Sequence, residues 1–374
     1  MNMTHFRPTT AHVDLTAIQK NIKGLRNHLH TDAEIIAVVK ANAYGHGDVE
    51  VSKAAIEAGV TMLAVATPDE ALHLREVFSK IPILVLGAVP VSFIPFAAKE
   101  HITLTVFSMD WLGAAKEQFS TLDVPVKVHM KVDSGMGRIG VRNEQEMLAL
   151  YHGIQSSPQF ELDGVFTHFA TADEEDSTYY DQQKDVFIHL VNQLPTKPRL
   201  VHAANTAASL TKDHVEFDAV RFGISMYGLL PSSYVGEHLP FTIHPALQLE
   251  TEIVHVKQLK KGEHVGYGAT YEAQEDGEWI ATLPIGYADG VLRGLQGQEV
   301  LVGGVRVPIV GRICMDQLMV RLPHSFPLSE KVVLIGKQGT DQITMQEWAD
   351  RLHTIPYEIA CILTARVPRV YYKE

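Results

Sequence analysis

The stretch "IIAVVKANAYGHG", residues 35–47, sets an apolar run directly against a lysine and a small, glycine-broken segment. A strand buried on both faces reads as a continuous apolar run, and Ile35 to Val39 fits that description. Lys40 then stands where the strand leaves the core. A lysine in that place either escapes to solvent or is held for chemistry, and the rest of the chain has to decide between the two.

Seven more short apolar runs follow: "MLAVAT" (62–67), "ILVLG" (83–87), "ITLTVF" (102–107), "VKVHMKV" (126–132), "LDGVFTH" (162–168), "LVHAAN" (200–205) and "AVRFGI" (219–224). Between them lie helix-like segments such as "PDEALHLREVFSK" (68–80) and "SMDWLGAAKEQF" (108–119), opened by a first-turn proline or a serine cap. Eight β-then-α units over about 200 residues predict a closed (β/α)8 barrel, which typically takes about 250. A doubly wound open sheet is the competitor, and a run of eight favours closure. Beyond "YVGEHLPFTIHPALQLE" the period changes to two, in "LQLETEIVHVKQL", "EWIATLPIGYADG", "EVLVGGVRVPIVGRI" and "KVVLIG". Helix-like pattern returns only in "TMQEWADRLHTI". The expected fold is α/β: an N-terminal (β/α)8 TIM-type barrel over 13–240, then a C-terminal, mostly antiparallel β domain over 241–374. Residues 1–12 are expected to pack with the second domain.

With 374 residues, two domains is the natural division. The formal net charge of −12, from 32 basic and 44 acidic residues without long runs, argues against nucleic-acid and anionic-membrane partners. Two cysteines, Cys314 and Cys361, have no metal-ligand spacing, so no metal is expected. The start "MNMTHFRPTT" lacks the apolar stretch of a signal peptide, and no apolar run reaches membrane-spanning length. A cytoplasmic location is the simplest expectation.

Barrel chemistry sits where the strands end, with phosphates held after strands seven and eight. Those places carry Lys40 and Tyr44, then Lys131, Asp133 and Arg138 of "KVDSGMGRIG". His168 follows strand six, Asn205 and Thr206 strand seven, and Arg221, Gly223 and Ile224 come from strand eight. Taken singly, a strand-end lysine is more often surface, and a lone histidine is usually structural. The glycines of "GMGRIG" lack the setting of a dinucleotide fingerprint and read as a tight turn. Together, lysine, histidine, two arginines and a hydroxyl–glycine cradle on one face match pyridoxal 5′-phosphate, its phosphate at strands seven and eight and its aldehyde held by Lys40 as a Schiff base.

The segments "AVVKANAYGHG", "KVDSGMGRIG", "GVFTHFATAD", "HAANTA", "VRFGISMYGLLP", "VGYGATY", "PIGYADG" and "GRICMDQ" run in order along nearly the whole chain. In them the sequence resembles the alanine racemases. The resemblance implies interconversion of L- and D-alanine by two bases on opposite faces of the cofactor, Tyr267 acting on L-alanine and Lys40 on D-alanine. It implies D-alanine supply for cell-wall peptidoglycan as the role. A phenol keeps its proton at neutral pH unless cations face it, and His168 and Arg221 are the candidates. The arginine of "VRFG" faces the cofactor's ring nitrogen in that family, which favours racemisation over the decarboxylation of similar barrels that carry a carboxylate there. Arg138 is implied to bind the substrate carboxylate, with Lys131 as a carbamate holding it; an unmodified Lys131 paired with Asp133 is the plain alternative. Tyr44, Thr206, Gly223, Ile224 and Tyr357 match phosphate-binding positions, Thr206 standing where serine is more usual.

Met315 and Asp316, with Tyr287, match positions for substrate entry and carboxylate contact. Cys314 lies in the same substrate-side strip; with no base spaced to pair with it, it reads as packing rather than as a nucleophile. In the resemblance these residues and Tyr267 reach the barrel mouth of another subunit, implying a head-to-tail homodimer with shared sites. The competing readings are a racemase of other or broader amino-acid range, a related decarboxylase, a barrel that only carries the cofactor, and a sugar-processing barrel.

Overall fold

The computed structural model describes residues 6–212 and 217–373. They divide into two compact units. One contains Ala17–Ala43 and Asp48–His244; the other contains the chain up to Thr16, Tyr44–Gly47, and Pro245 onward. Of the leading segment expected to join the second domain, residues 1–5 lie outside the described residues.

The strands in chain order are β1 (Thr10–Asp14), β2 (Glu34–Val38), β3 (Met62–Val65), β4 (Ile83–Val85), β5 (Ile102–Val106), β6 (Val126–Lys131), β7 (Phe160–Phe166), β8 (Leu200–His202), β9 (Ala219–Phe222) and β10 (Leu247–Glu252). Strands β2 to β9 form a closed parallel barrel, β9 returning to β2 with Ile36 opposite Arg221. The eight apolar runs are thus its eight strands. Every residue of β3, β4, β5 and β9 is buried, as strands covered on both faces require.

The helices start where their caps place them. Thr67 and Glu70 make a reciprocal capping box ahead of Pro68–Val77, and the Ser108 side chain accepts from the Trp111 N–H ahead of Met109–Gln118. The first of these stops at Val77, short of Lys80. There Arg75 takes over, its guanidinium donating to the carbonyls of Phe78 and Ile81 at 2.7 and 2.9 Å.

The second unit holds a ten-stranded sheet. Antiparallel pairing joins His255–Leu259, Glu278–Leu283, Leu318–Leu322, Val305–Val310, Glu299–Val302, Lys331–Gln338, β10 and β1 in that spatial order. On the far side of β1, Arg369–Tyr372 pairs in parallel, and the tenth strand, Asp341–Ile343, pairs with Lys331–Gln338 off this path. The helix-like segment forms Met345–Leu352, capped by Thr344. The expectation that it is the only helix there needs correcting, because Pro356–Ile362 is a second one with proline at its first turn. At seven residues it is too short for an amphipathic period to stand out.

Candidate active site

After β2 the chain does not run straight on. Ala41, Asn42, Ala43 and Tyr44 all have φ between 51 and 53°, one turn of left-handed helix built without glycine. Each such residue costs about 1–2 kcal/mol for an L-amino acid. Side chains and backbone hold the turn shut: Ala41 N–H donates to Glu70 Oε1 at 2.6 Å, Ala43 N–H to Val39 O at 2.9 Å, and Asp48 N–H to Asn42 Oδ1 at 3.0 Å. Lys40 opens this turn half-buried. Local strain kept by its surroundings is a mark of functional segments.

The "SGMGRIG" segment is the tight turn its glycines predict, with positive φ at Gly135, Gly137 and Gly140. Asp133 builds it, its Oδ1 accepting from the N–H groups of Gly135 and Gly137 at 3.2 and 2.9 Å. Asp133 Oδ1 is thus spent on the loop, and no hydrogen bond joins Asp133 to the Lys131 amine, although its charge still acts on that amine. The Lys131 amine is buried, has no hydrogen-bond partner, and lies 4.4 Å from the centre of the Phe166 ring. Burial first, then the charges of Arg221 and Arg138, drive it well below the usual lysine range, so the amine is neutral. Arg138 leaves the loop exposed.

Arg221 is buried and spends its two terminal nitrogens on the barrel. NH1 donates to His202 Nδ1 at 2.9 Å and His202 O at 3.3 Å; NH2 donates to the carbonyls of Thr167 and Ala203, both at 2.8 Å. NH2 also faces His168 Nδ1 at 3.3 Å. No carboxylate touches it among the described residues, and none of them takes its Nε–H. Burial and Arg138 pull its pKa to about 9, so it stays charged at neutral pH.

Since arginine can only donate, the His168 Nδ1 that faces it is an acceptor, and the ring proton belongs on Nε2. Burial, then Arg221, Lys131, Arg138 and Lys40, hold His168 neutral. These four basic residues share one mouth of the barrel, and all of them act on His168 in the same sense.

An anionic, aldehyde-bearing group fits this arrangement. Thr206 Oγ1 accepts from Gly223 N–H at 2.8 Å, which leaves its own O–H to donate to a phosphate. Asn205 caps the helix Thr206–Thr211 through Ala208 N–H at 3.0 Å, and Thr206 and Ile224, the latter next to Gly223, are both buried. The Nε–H of Arg221 is the donor left for a ring nitrogen.

In the second unit, Tyr267 stands in a turn, 71% exposed, and Met315 is 52% exposed. Tyr287 is also exposed, and Asp316 pairs with Arg366 at 2.7 Å. Cys314 Sγ donates weakly to Arg312 O at 3.6 Å. Tyr44 is buried with its ring 6.1 Å from that of Tyr357, and burial keeps its hydroxyl far above the ordinary range, hence a donor.

Residue reasoning on the sequence missed His202, His129, Asp163 and Arg199, which continue inward from Arg221. For the two histidines and Asp163 the only signal was a polar residue inside a run that otherwise reads as core; Arg199 stands just before such a run.

Two family models match in succession, the alanine racemase N-terminal domain over residues 13–231 and the C-terminal domain over 246–371. The chain is 51% identical to the alanine racemase of Geobacillus stearothermophilus over 373 residues, covering 100% of this chain and 95% of that one. It is similar to the crystal structure of alanine racemase from Bacillus anthracis with bound L-Ala-P, at TM-score 0.95 and 47% identity, over 99% and 96% of the two chains. A histidine racemase from Leuconostoc mesenteroides is similar at TM-score 0.93 and 33% identity, over 99% of both chains. By matches that span both of its units, the chain belongs to the alanine racemase family.

Proposed function

We propose that the chain interconverts L- and D-alanine through two opposed acid–base groups, Lys40 and Tyr267, with pyridoxal 5′-phosphate as cofactor. The observation that carries the reading is Arg221: a buried guanidinium with no carboxylate partner and an uncommitted Nε–H at the barrel mouth. The cofactor, when bound, supplies an electron-accepting ring that acidifies the substrate Cα–H. Arg221 would donate to the ring nitrogen without giving up its proton, which limits how far the ring draws electrons and favours proton return over side reactions. A decarboxylase would need the ring nitrogen protonated by a carboxylate, and in the proposed binding Arg221 would take that place instead.

The other residues follow. Lys40 would hold the aldehyde at rest and move the Cα proton on the D-face; Tyr267 would do so on the L-face. Thr206, Gly223, Ile224, Asn205, Tyr44 and Tyr357 would bind the phosphate end, and Arg138 the substrate carboxylate. Lys131, with a neutral and unpartnered amine, suits carbamate formation, which would give Arg138 the anion it lacks. The exposure of Tyr267, Met315 and Ile355 supports a homodimer in which they, with Tyr287, Cys314 and Asp316, face a second copy. There the His168 Nε2–H would stabilise a phenolate on the partner's Tyr267. Supply of D-alanine for peptidoglycan in the cytoplasm completes the proposal.

The likeness to a histidine racemase favours a second reading, another amino-acid preference on the same machinery. About 50% identity to curated alanine racemases weighs the other way. Purified protein given L-alanine, L-serine, L-lysine and L-histidine separately, with D-isomer scored, separates the two; D-histidine without D-alanine would end the alanine assignment. Lys40→Ala should abolish both directions, and Tyr267→Phe should lower L-to-D turnover by about 10²–10⁴-fold, the usual worth of a positioned base. Unchanged L-alanine turnover in Tyr267→Phe would refute the two-base assignment.

A further inference from the structure

Arg221 is the upper end of a chain of hydrogen bonds through the barrel core. His202 Nδ1 accepts from Arg221, so the neutral His202 ring carries its proton on Nε2. That proton points to His129 Nδ1 at 2.9 Å. His129 in turn has its proton on Nε2, 3.3 Å from Asp163 Oδ2. Both rings are fully buried, and burial holds both neutral. Asp163 is buried as well and ends the chain in a two-pronged pair with Arg199, at 2.9 and 2.8 Å. Arg199 is half-exposed and also reaches Glu34, the first residue of β2, at 2.9 Å. The chain thus joins the residues at the carboxyl end of the barrel to charged groups near the amino ends of its strands.

Its parts are fitted to one another. His129 is on β6 and His202 on β8, and β7 lies between them. They can meet because residue 164 of β7 is glycine: a Cβ there would sit 2.7 Å from the His129 ring. The His202 ring lies flat on Phe166, centroids 4.8 Å apart and planes 3° apart, which fixes the plane from which Nδ1 faces Arg221.

We infer that Asp163 is a positioning residue for Arg221, acting through His129 and His202 as its remote counter-charge. Every donor in the chain points from Arg221 toward the carboxylate. Each bond therefore polarises the next in the sense that stabilises the guanidinium as a cation. The charged or titratable groups otherwise facing Arg221 are Arg138, Lys131, His168 and His202, none of them an anion in the unmodified chain. With burial and Arg138 lowering its pKa to about 9, Arg221 needs such support to stay charged in mildly alkaline solution. The inference rests on the role proposed above for Arg221, but its readout does not depend on turnover.

The test is the titration of Arg221 in the cofactor-loaded full chain, followed by the 13Cζ resonance of labelled arginine and assigned by its loss in Arg221→Lys. Asp163→Asn keeps an acceptor for His129 and removes the charge; it should lower the Arg221 midpoint by about one pH unit, tenfold in proton affinity. Arg199→Gln removes the nearer of the two cations that compete for the same carboxylate, Arg199 and Lys127, and should raise the midpoint. This opposite sign is one that a merely structural role would not produce, and it carries the test if Asp163→Asn fails to fold. His129→Leu should abolish the effect of Asp163→Asn. An unmoved midpoint in folded Asp163→Asn, a downward shift in Arg199→Gln, or an undiminished Asp163→Asn effect in the His129→Leu background overturns the inference. Both shifts observed in a protein that forms no D-alanine would leave it standing and remove the functional reading alone.

Discussion

Lys131 shows how a single side chain can be costly and still retained. At neutral pH the unfolded chain carries this amine protonated, whereas the fold holds it neutral beside two arginines. Folding therefore works against the lysine's proton affinity below its usual range of about 10.5, and that cost fades only as pH rises toward it. The neutral amine is the nucleophilic form. In the proposed carbamate, carbon dioxide would add at Nζ as an N–C bond forms and the amine proton leaves to solvent, giving an anion beside Arg221 and Arg138. Protein grown and handled in 13C-bicarbonate should show one carbamate carbonyl resonance per chain, absent from Lys131→Ala. No such resonance in the active enzyme would leave the amine unmodified. Which residues could be read without coordinates follows from where they sit. Lys40, Lys131 and His168 stand at or near the ends of apolar runs, where a polar residue needs a reason, and the "VRFG" motif marks Arg221. His129 and His202 lie within such runs, and only the register across β7, opened by Gly164, shows that they touch.

At the scale of elements, the segment carrying Arg138 depends on backbone geometry more than on side chains. Gly140 has φ +128°, and a Cβ there would stand 2.6 Å from Asp133 N and 2.9 Å from Lys131 O, atoms of the backbone itself. Gly140→Ala should cost about 2–3 kcal/mol of stability and displace Arg138. In the proposed reaction, KM for alanine should rise more than kcat falls; a variant with wild-type urea midpoint and KM would show that the turn tolerates a side chain. The barrel strands were legible because parallel strands covered on both faces leave a distinctive unbroken signature. The left-handed turn after Lys40 was not legible. Alanine and asparagine do not announce positive φ, and the contacts that enforce it come from Glu70 and Asp48, distant or separate in the sequence.

Across the whole molecule, three histidines, the buried His129 and His202 and the part-buried His168, are held neutral, their pKa values below the usual 6.5 chiefly because desolvation penalises the cation. The unfolded chain binds those protons as pH falls through about 6.5 while the folded chain refuses them. Stability must then decline on acidification, by up to about 1.4 kcal/mol per pH unit for each histidine. Asp163, whose carboxyl is held below its ordinary range most strongly by its bonds to Arg199 and His129 against the opposing effect of burial, adds a loss of the same sign at still lower pH. Urea unfolding should show a clearly lower midpoint at pH 5.5 than at pH 7.5; equal midpoints would mean the histidines are charged in the fold. Among the described residues no helix is long and apolar enough to cross a membrane.

The place of β1 bears on how such a molecule is made. It is flanked by β10 and by Arg369–Tyr372, so a strand made early pairs with strands made much later. At about 5–20 residues per second, that early segment has to wait on the order of tens of seconds for its final neighbour. The stretch from Ala17 to His244 has its own barrel pairing meanwhile. Loosening of Arg369–Tyr372 would therefore be felt at Thr10–Asp14, and the reverse.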